Sequence, residues 1–198
     1  MIGNIHEIVK NKTRGYKQLT EGIIKLVMYM RDALKCMGLL AVGLLTAIFL
    51  YPLLHELGHM LTAVVFGYKV LNFQLLPLPS VMCEMDMINR FTIIVVGFGG
   101  MLLPYFISLI PPRKQFWLWY LWLVISVICL LSFVISIVGI VSYKMGMPLN
   151  NEDITQIMVH SEENHILYLI TLIALFVFRI IQIIHTKPIK RCLIEFGV

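Results

Sequence analysis

Long apolar runs separated by short polar segments dominate the chain. Four of these runs reach the ~20 predominantly apolar residues that a helix needs to cross a bilayer. They predict four membrane-spanning helices, which cover about residues 37–66, 91–110, 116–142 and 165–184.

Two stretches outside these runs have periodicities of their own. In residues 1–35, apolar side chains recur at helical spacing from Leu19 to Leu34, which predicts an amphipathic helix on the membrane surface or packed against the rest of the protein. Between the first two spans, apolar and polar residues alternate on both sides of the sequence PLPS, as in a short β-hairpin. The expected fold is therefore an all-α membrane protein with a β-hairpin between its first two spans and an N-terminal amphipathic helix.

The composition agrees with this class. Of the 198 residues, 59% are hydrophobic, more than one soluble domain of this length buries. The four cysteines are scattered without a C-x-x-C pair, so neither a disulfide framework nor a thiolate zinc site is indicated. We expect three regions: an amphipathic segment at 1–35, a membrane-embedded domain at 36–185 and a basic tail at 186–198.

The formal net charge of +5 reflects basic residues beside the apolar runs, a pattern typical of membrane proteins rather than of nucleic-acid partners. Twelve Lys and Arg residues precede the first span, follow the second or follow the fourth, against three in the other connections. This imbalance predicts a multi-pass protein of the cell membrane with both termini in the cytoplasm. The three residues on the other side are Lys69, Arg90 and Lys144.

The second predicted span carries a cluster of small residues. The sequence GFGG occupies positions 97–100 and is followed by Pro104. Small side chains let another helix or an extended backbone approach closely. Ordinary helix packing produces the same pattern, so the glycines alone do not separate the two explanations.

The sequence HELGH, residues 55–59, ends the first apolar run. Its histidines are four residues apart and therefore lie on one face of a helix, where both can bind one cation. In an H-E-x-x-H arrangement the imidazoles bind zinc, and the glutamate, here Glu56, takes a proton from the activated water. Ionisable groups at membrane depth cost a few kcal/mol each unless they are paired or bind a metal, which favours a functional site over a chance match.

Catalytic zinc normally has three protein ligands, so His55 and His59 leave one position open. Asp153 opens an apparently helical segment before the fourth span, and Glu152 beside it points about 100° away on a helix. The acidic and histidine residues expected on the same membrane face are Glu84, Asp86, Glu152, Asp153, His160, Glu162, Glu163 and His165.

From residue 37 to residue 184, the chain resembles the site-2 protease family of intramembrane metalloproteases. The resemblance rests on HELGHMLTAVVFGYKV at the end of the first core span, the hairpin, the glycine-rich second helix with its proline, and the sequence NNED before the last span. It implies zinc bound by His55, His59 and Asp153, with Glu56 as general base. It also implies Asn150 or Asn151 as donors to the substrate or transition state.

These observations predict a zinc-dependent intramembrane endopeptidase that hydrolyses membrane-protein or membrane-associated peptide substrates. One alternative is a peptidase that trims small exported peptides. Another is a noncatalytic metal-binding membrane protein, an immunity or transport component. Glu56 disfavours pure metal binding, which needs no general base, and spans two and three have few of the polar residues that transport normally requires.

Overall fold

The computed structural model describes residues 2–84, 90–149, 153–161 and 164–196, with side chains from residue 20 onward. The protein is mainly helical, with four helices long and apolar enough to cross a membrane and one two-stranded sheet. Four apolar spans and a small hairpin, as predicted from the sequence, are therefore confirmed at this level.

Seven α-helices, two strands and one π-helical turn make up the described part of the chain. Helix α5 begins at Asp153, as its apolar spacing predicted, whereas α7 in the basic tail was not predicted. The elements in order are α1 (Ile2–Leu45), the π turn (Thr46–Leu50), α2 (Tyr51–Val65), β1 (Lys69–Gln74), β2 (Ser80–Glu84), α3 (Arg90–Ile107), α4 (Phe116–Lys144), α5 (Asp153–Ser161), α6 (His165–His185) and α7 (Pro188–Phe196).

Two of the four stretches that are long and apolar enough to cross a membrane are much longer than the sequence predicted. The first covers Thr20–Val65, and the last covers His165–Phe196. The chain also divides into two compact units, residues 1–41 and 42–198. The regions expected at 1–35, 36–185 and 186–198 remain predictions.

The π turn lies directly before the helix that carries HELGH. Pro52 has no N–H and cannot donate to the carbonyl one turn earlier. The N–H of Tyr51 instead reaches back five residues to the carbonyl of Thr46, and the hydroxyl of Thr46 donates to the carbonyl of Val42 at 2.7 Å. The turn thus accommodates the proline without ending the helical path.

Helices α2 and α3 pack with their backbones in close contact. A Cβ atom at Gly58 would overlap the carbonyl oxygen of Gly99 and lie 2.7 Å from its carbonyl carbon. The small residues of the second span therefore serve a close helix–helix approach. This approach fixes the helix that carries HELGH against α3.

The hydrophobic core of residues 42–198 lies around α4. Phe133 is 1% exposed, and Ile157 of α5 and Leu172 of α6 are fully buried. All three belong to one cluster of buried side chains, which reaches α2 through Tyr51. Helix α5, although short, is therefore fixed by packing.

Arg179 of α6 is fully buried. Its guanidinium donates to the carbonyls of Ser108 at 2.6 Å and Tyr105 at 2.8 Å, and to Oε1 of Gln182 at 2.7 Å. It also lies 4.3 Å from the centroid of the Tyr105 ring. Since the last carbonyls of a helix lack partners within the helix, Arg179 caps the C-terminal end of α3.

The two strands form an antiparallel hairpin in which Phe73 pairs with Val81 and Gln74 with Ser80. The hairpin connects α2 to the segment before α3, as expected. No other strand occurs in the described ranges. The second edge of β2 is therefore unpaired by any strand that the structure describes.

Candidate metal centre

His55 and His59 lie on one face of α2, as their four-residue spacing predicts. Their Nε2 atoms are 3.1 Å apart. The ring centroids are 4.7 Å apart and the ring planes are nearly perpendicular, at 85°. Both imidazoles thus direct the same type of nitrogen towards one point.

Asp153, the first residue of α5, brings a carboxylate to the same point. Its Oδ2 lies 3.0 Å from Nε2 of His55 and 3.2 Å from Nε2 of His59. We call these three atoms the donor group. No other His, Cys, Asp or Glu among the residues that the structure describes belongs to it.

The spacing of the donor group suits zinc. Ligand bonds of about 2.0–2.1 Å at tetrahedral angles place neighbouring donor atoms about 3.3 Å apart. The observed separations are 3.0, 3.1 and 3.2 Å. Only a small expansion would be needed to hold the ion, and two imidazoles with one carboxylate are a ligand set that zinc accepts in catalytic sites.

A backbone contact fixes the orientation of His59. Its Nδ1 lies 2.7 Å from the carbonyl oxygen of Val96 on α3. Because a carbonyl only accepts, the proton of the neutral ring is on Nδ1 and the lone pair of Nε2 faces the donor group. The Nδ1 of His55 is buried and has no hydrogen-bond partner in the described ranges, so the two imidazoles are supported unequally.

Asp153 is the most open member of the donor group, with its side chain 41% exposed against 12% for His59. Burial raises the pKa of the Asp153 carboxyl, but hydrogen bonding to His55 and His59 outweighs burial and holds this pKa well below its usual range. Asp153 is therefore a carboxylate at neutral pH. An ionised oxygen beside two imidazole nitrogens favours a bound cation.

Glu56 lies next to the donor group and outside it. Its Oε2 accepts a hydrogen bond of 3.0 Å from the backbone N–H of Val81 on β2. Glu56, His59 and Asp153 line a cleft of about 950 Å³, together with Val81 and Gln156. The carboxylate of Glu56 thus lies beside the donor group without belonging to it.

Gly100 of α3 forms the wall opposite the histidines. A Cβ atom at this position would overlap Nε2 of His59 and lie 2.8 Å from Cε1 of His55. No side chain fits there while both imidazoles keep their positions. The close approach of α2 and α3 therefore also creates the space in which the two imidazoles lie.

A second, smaller cavity of about 90 Å³ lies on the α4 side of the donor group, lined by His55, Asp153, Ser132 and Ser136 among others. The hydroxyls of Tyr51 and Ser132 are 2.6 Å apart. The cavity is large enough to hold water molecules. Polar groups thus border the donor group on a side away from Glu56.

Of the other residues considered as a third ligand, three are described and lie elsewhere. Glu84 ends β2, His165 opens α6, and Nδ1 of His160 bonds to the carbonyl of Gln156 at 2.9 Å. The remaining predicted residues lie outside the described ranges: Asp86, Asn150, Asn151, Glu152, Glu162 and Glu163.

The structure adds four residues that the sequence analysis did not single out for this site: Val81, Val96, Gly100 and Gln156. Val81 and Val96 act through their backbones, so their side chains gave no signal. Gly100 was noted only as one of the three glycines of GFGG. Gln156 follows Asp153 by three residues and therefore lies on the same helical face, a spacing that offered a usable signal.

No protein-family model, curated protein or solved structure matches the chain. The interpretation of the site therefore rests on its geometry and chemistry.

Proposed function

We propose that the protein is a zinc-dependent intramembrane endopeptidase of the site-2 protease type, which hydrolyses peptide bonds of membrane-associated substrates. One observation carries the proposal: His55, His59 and Asp153 direct donor atoms to one point, 3.0–3.2 Å apart, and Glu56 lines the adjoining cleft without joining them.

Zinc bound at the donor group would supply a Lewis acid that polarises a water molecule and the substrate carbonyl. The two imidazoles and the carboxylate hold the ion, and the contact between His59 and the carbonyl of Val96 keeps that ring in the required tautomer. Gly100 keeps the remaining space free of side chains. These residues thus have binding and orienting roles.

Glu56 is proposed to act as the general base. It would accept a proton from the attacking water and pass it to the leaving amine, a role that needs a carboxylate beside the donor group. The N–H of Val81 donates to this carboxylate at 3.0 Å and restrains its position. Gln156, Asn150 and Asn151 are proposed donors to the substrate.

The unpaired edge of β2 offers a means of holding an unwound substrate. Val81 lies opposite Phe73 of β1, but its N–H points away from β1 and donates to Glu56. The edge of β2 that is not paired with β1 therefore faces the cleft. An extended peptide can add to such an edge through backbone hydrogen bonds. Its scissile amide would then lie near Glu56 and the donor group.

We further propose that both termini are cytoplasmic and that the site opens to the opposite side of the cell membrane. Support comes from the twelve-to-three distribution of Lys and Arg. A reporter enzyme that is active only outside the cytoplasm, fused after Val198, should be inactive in intact cells. Full activity of that fusion would reverse the orientation without affecting the proposed chemistry.

The deciding variant is Glu56→Gln, which keeps the size of the side chain and removes its basicity. We expect zinc content and thermal stability near those of the parent, with cleavage slower by roughly 100-fold or more, the usual share of a general base. The assay uses protein in lipid vesicles and a panel of single-span peptides carrying a fluorophore and a quencher. Glu84→Gln, the same chemical change at the end of β2, is the matched control and should cleave normally.

His55→Ala tests the metal separately and should lose the zinc that the parent retains. Equal metal content in parent and variant would exclude the donor group as a metal site. Parent-level cleavage by Glu56→Gln, with zinc still bound, would exclude a metallohydrolase of this type.

A noncatalytic metal-binding membrane protein is the second candidate function. The observation that favours it is the bond between Glu56 and the N–H of Val81, which gives the glutamate a structural role in joining α2 to the hairpin. In that case Glu56→Gln would lower the thermal stability, and the parent would bind zinc without cleaving any peptide of the panel.

A further inference from the structure

An apolar groove of about 480 Å³ lies at the turn between α6 and α7, at the C-terminal end of α6. Aliphatic side chains line most of the groove, and two lysines lie beside them. The groove is lined by Ile184, Lys187, Pro188, Ile189, Lys190 and Leu193.

The aliphatic side chains of the groove are exposed. Ile189 is 77% exposed, Ile184 66% and Leu193 44%. Three such neighbours at the end of a helix long and apolar enough to cross a membrane would be costly in water. In a bilayer, acyl chains can cover them.

The opposite side of α7 is held by the protein. Arg191 donates to the carbonyls of Arg113 at 2.9 Å and Pro112 at 3.3 Å, and its guanidinium lies 4.8 Å from the centroid of the Trp119 ring. Arg191 and Ile189 are two residues apart and point about 200° apart around the helix. Fixing Arg191 on the protein therefore turns Ile189 away from it.

Lys187 and Lys190 are both exposed, and neither forms an ion pair with any residue that the structure describes. Lys187 adopts the left-handed backbone conformation, with φ of 50°, where α6 ends. Two ammonium groups thus flank an aliphatic groove at one end of a membrane-spanning helix. The charge of such a site complements a phosphate group, and its groove complements an acyl chain.

We propose that this groove binds an anionic phospholipid of the surrounding leaflet. One acyl chain lies along Ile184, Ile189 and Leu193, and the headgroup phosphate contacts Lys187 and Lys190. The site is remote in sequence from the donor group, and the proposal does not depend on the proposed peptidase activity.

The test uses the full chain in a mild detergent, titrated with phosphatidylglycerol or phosphatidylcholine and analysed by native mass spectrometry. The parent should bind phosphatidylglycerol preferentially. The double variant K187Q/K190Q should bind it roughly 25-fold more weakly, since each lysine near an anionic lipid contributes about a factor of five. Binding of phosphatidylcholine should change little.

The matched control is K69Q/K144Q, which removes two charges elsewhere. Lys144 ends the 29-residue helix α4, about 43 Å from the end that bears Trp119, so this variant should bind phosphatidylglycerol like the parent. Ile189→Gln tests the acyl contact and should weaken the binding of phosphatidylglycerol with both lysines present.

Equal affinity of the parent for the two lipids would overturn the proposal, as would equal losses in K187Q/K190Q and K69Q/K144Q. A parent dimer that excludes phosphatidylglycerol would also overturn it, because the groove would then accept a second copy of the chain.

Discussion

The donor group and Arg179 both place ionisable side chains among apolar helices, yet their surroundings differ in kind. The two terminal nitrogens of Arg179 donate to oxygen acceptors at 2.6–2.8 Å, and only its Nε has no hydrogen-bond partner in the described ranges, so most of the donors meet acceptors and the fold itself stabilises the cation. In the donor group, two imidazole nitrogens and a carboxylate oxygen face one another at 3.0–3.2 Å, and a cation or proton is needed between them.

This difference shows that burial of a charged residue in a membrane-spanning helix does not by itself identify a functional site. Arg179 is fully buried and is explained by the carbonyls at the end of α3. His55 and His59 are only partly buried, and with Asp153 they form a group of donor atoms that could hold a metal ion. Complementarity among the neighbours separates a structural charge from a binding site.

The largest effect is expected for Asp153→Ala, which removes one atom of the donor group. Loss of a residue that only hydrogen-bonds to a metal ligand lowers metal affinity roughly 10–100-fold. Loss of this carboxylate, which is itself a proposed ligand, should lower zinc affinity by more than about 100-fold. A competition titration with a chromophoric zinc chelator measures the affinity. Glu152→Ala, one residue earlier, is the control and should bind zinc like the parent.

The opposite ranking of these two variants would show that Glu152 supplies the third ligand. Equal zinc affinity in Asp153→Ala and the parent would show that the donor group is only a set of internal hydrogen bonds. It would then be a structural feature of the fold, as Arg179 is.

A smaller effect is expected for Gly100→Ala, which adds one methyl group and leaves the donor atoms in place. Because that carbon would overlap Nε2 of His59, one imidazole must move. Zinc affinity should therefore fall by roughly 10–100-fold, as it does when a residue that holds a metal ligand in place is lost. Gly97→Ala is the matched control: its Cβ would lie 2.8 Å from the side chain of Ile157 and does not reach the histidines.

Both alanine variants cost packing, so thermal stability should fall in both, and zinc affinity should fall in Gly100→Ala only. Parent-like zinc affinity in Gly100→Ala would mean that the imidazoles tolerate displacement, and that the wall opposite them does not define the site.

The smallest effect on metal binding is expected for Arg179→Met, which keeps an unbranched side chain and removes the guanidinium. The carbonyl of Ser108 keeps the indole N–H of Trp122 at 2.7 Å, and that of Tyr105 keeps the hydroxyl of Ser108 at 3.2 Å. The cost is therefore the loss of hydrogen bonds to a charged group, at about 1.5–3 kcal/mol each. Thermal unfolding should occur at a lower temperature, while folded protein keeps the zinc affinity of the parent. A loss of zinc in folded Arg179→Met would show that the two sites are coupled.

The apolar runs predicted the helices well because a bilayer requires about 20 apolar residues per span. The spacing of HELGH likewise predicted the approach of His55 and His59, since neighbours four apart on a helix share a face. These features are local in sequence. The alternation of apolar and polar residues on both sides of PLPS is also a local pattern, and it predicted the hairpin.

Contacts distant in sequence were harder to predict. Asp153 lies 98 residues after His55, so periodicity alone left it among eight acidic and histidine residues, and a family resemblance was needed to choose it. Arg179 had no predicted partner, because two of its three acceptors are backbone carbonyls whose availability depends on where α3 ends. Helix α7, as short as α5, was missed because the tail was interpreted from its basic residues, although Ile189 and Leu193 are four residues apart, as on one face of a helix.

The π turn at Thr46–Leu50 has a consequence for evolution. A π turn is an α turn with one residue inserted, so a deletion of one residue within Thr46–Leu50 would remove the insertion and rotate the turn that precedes it by about 100°. Pro52 would then lie in an α-helical path without an N–H to donate. A descendant of this chain with such a deletion would keep HELGH unchanged. Its alignment to this sequence would carry a gap of one residue inside a helix that is long and apolar enough to cross a membrane.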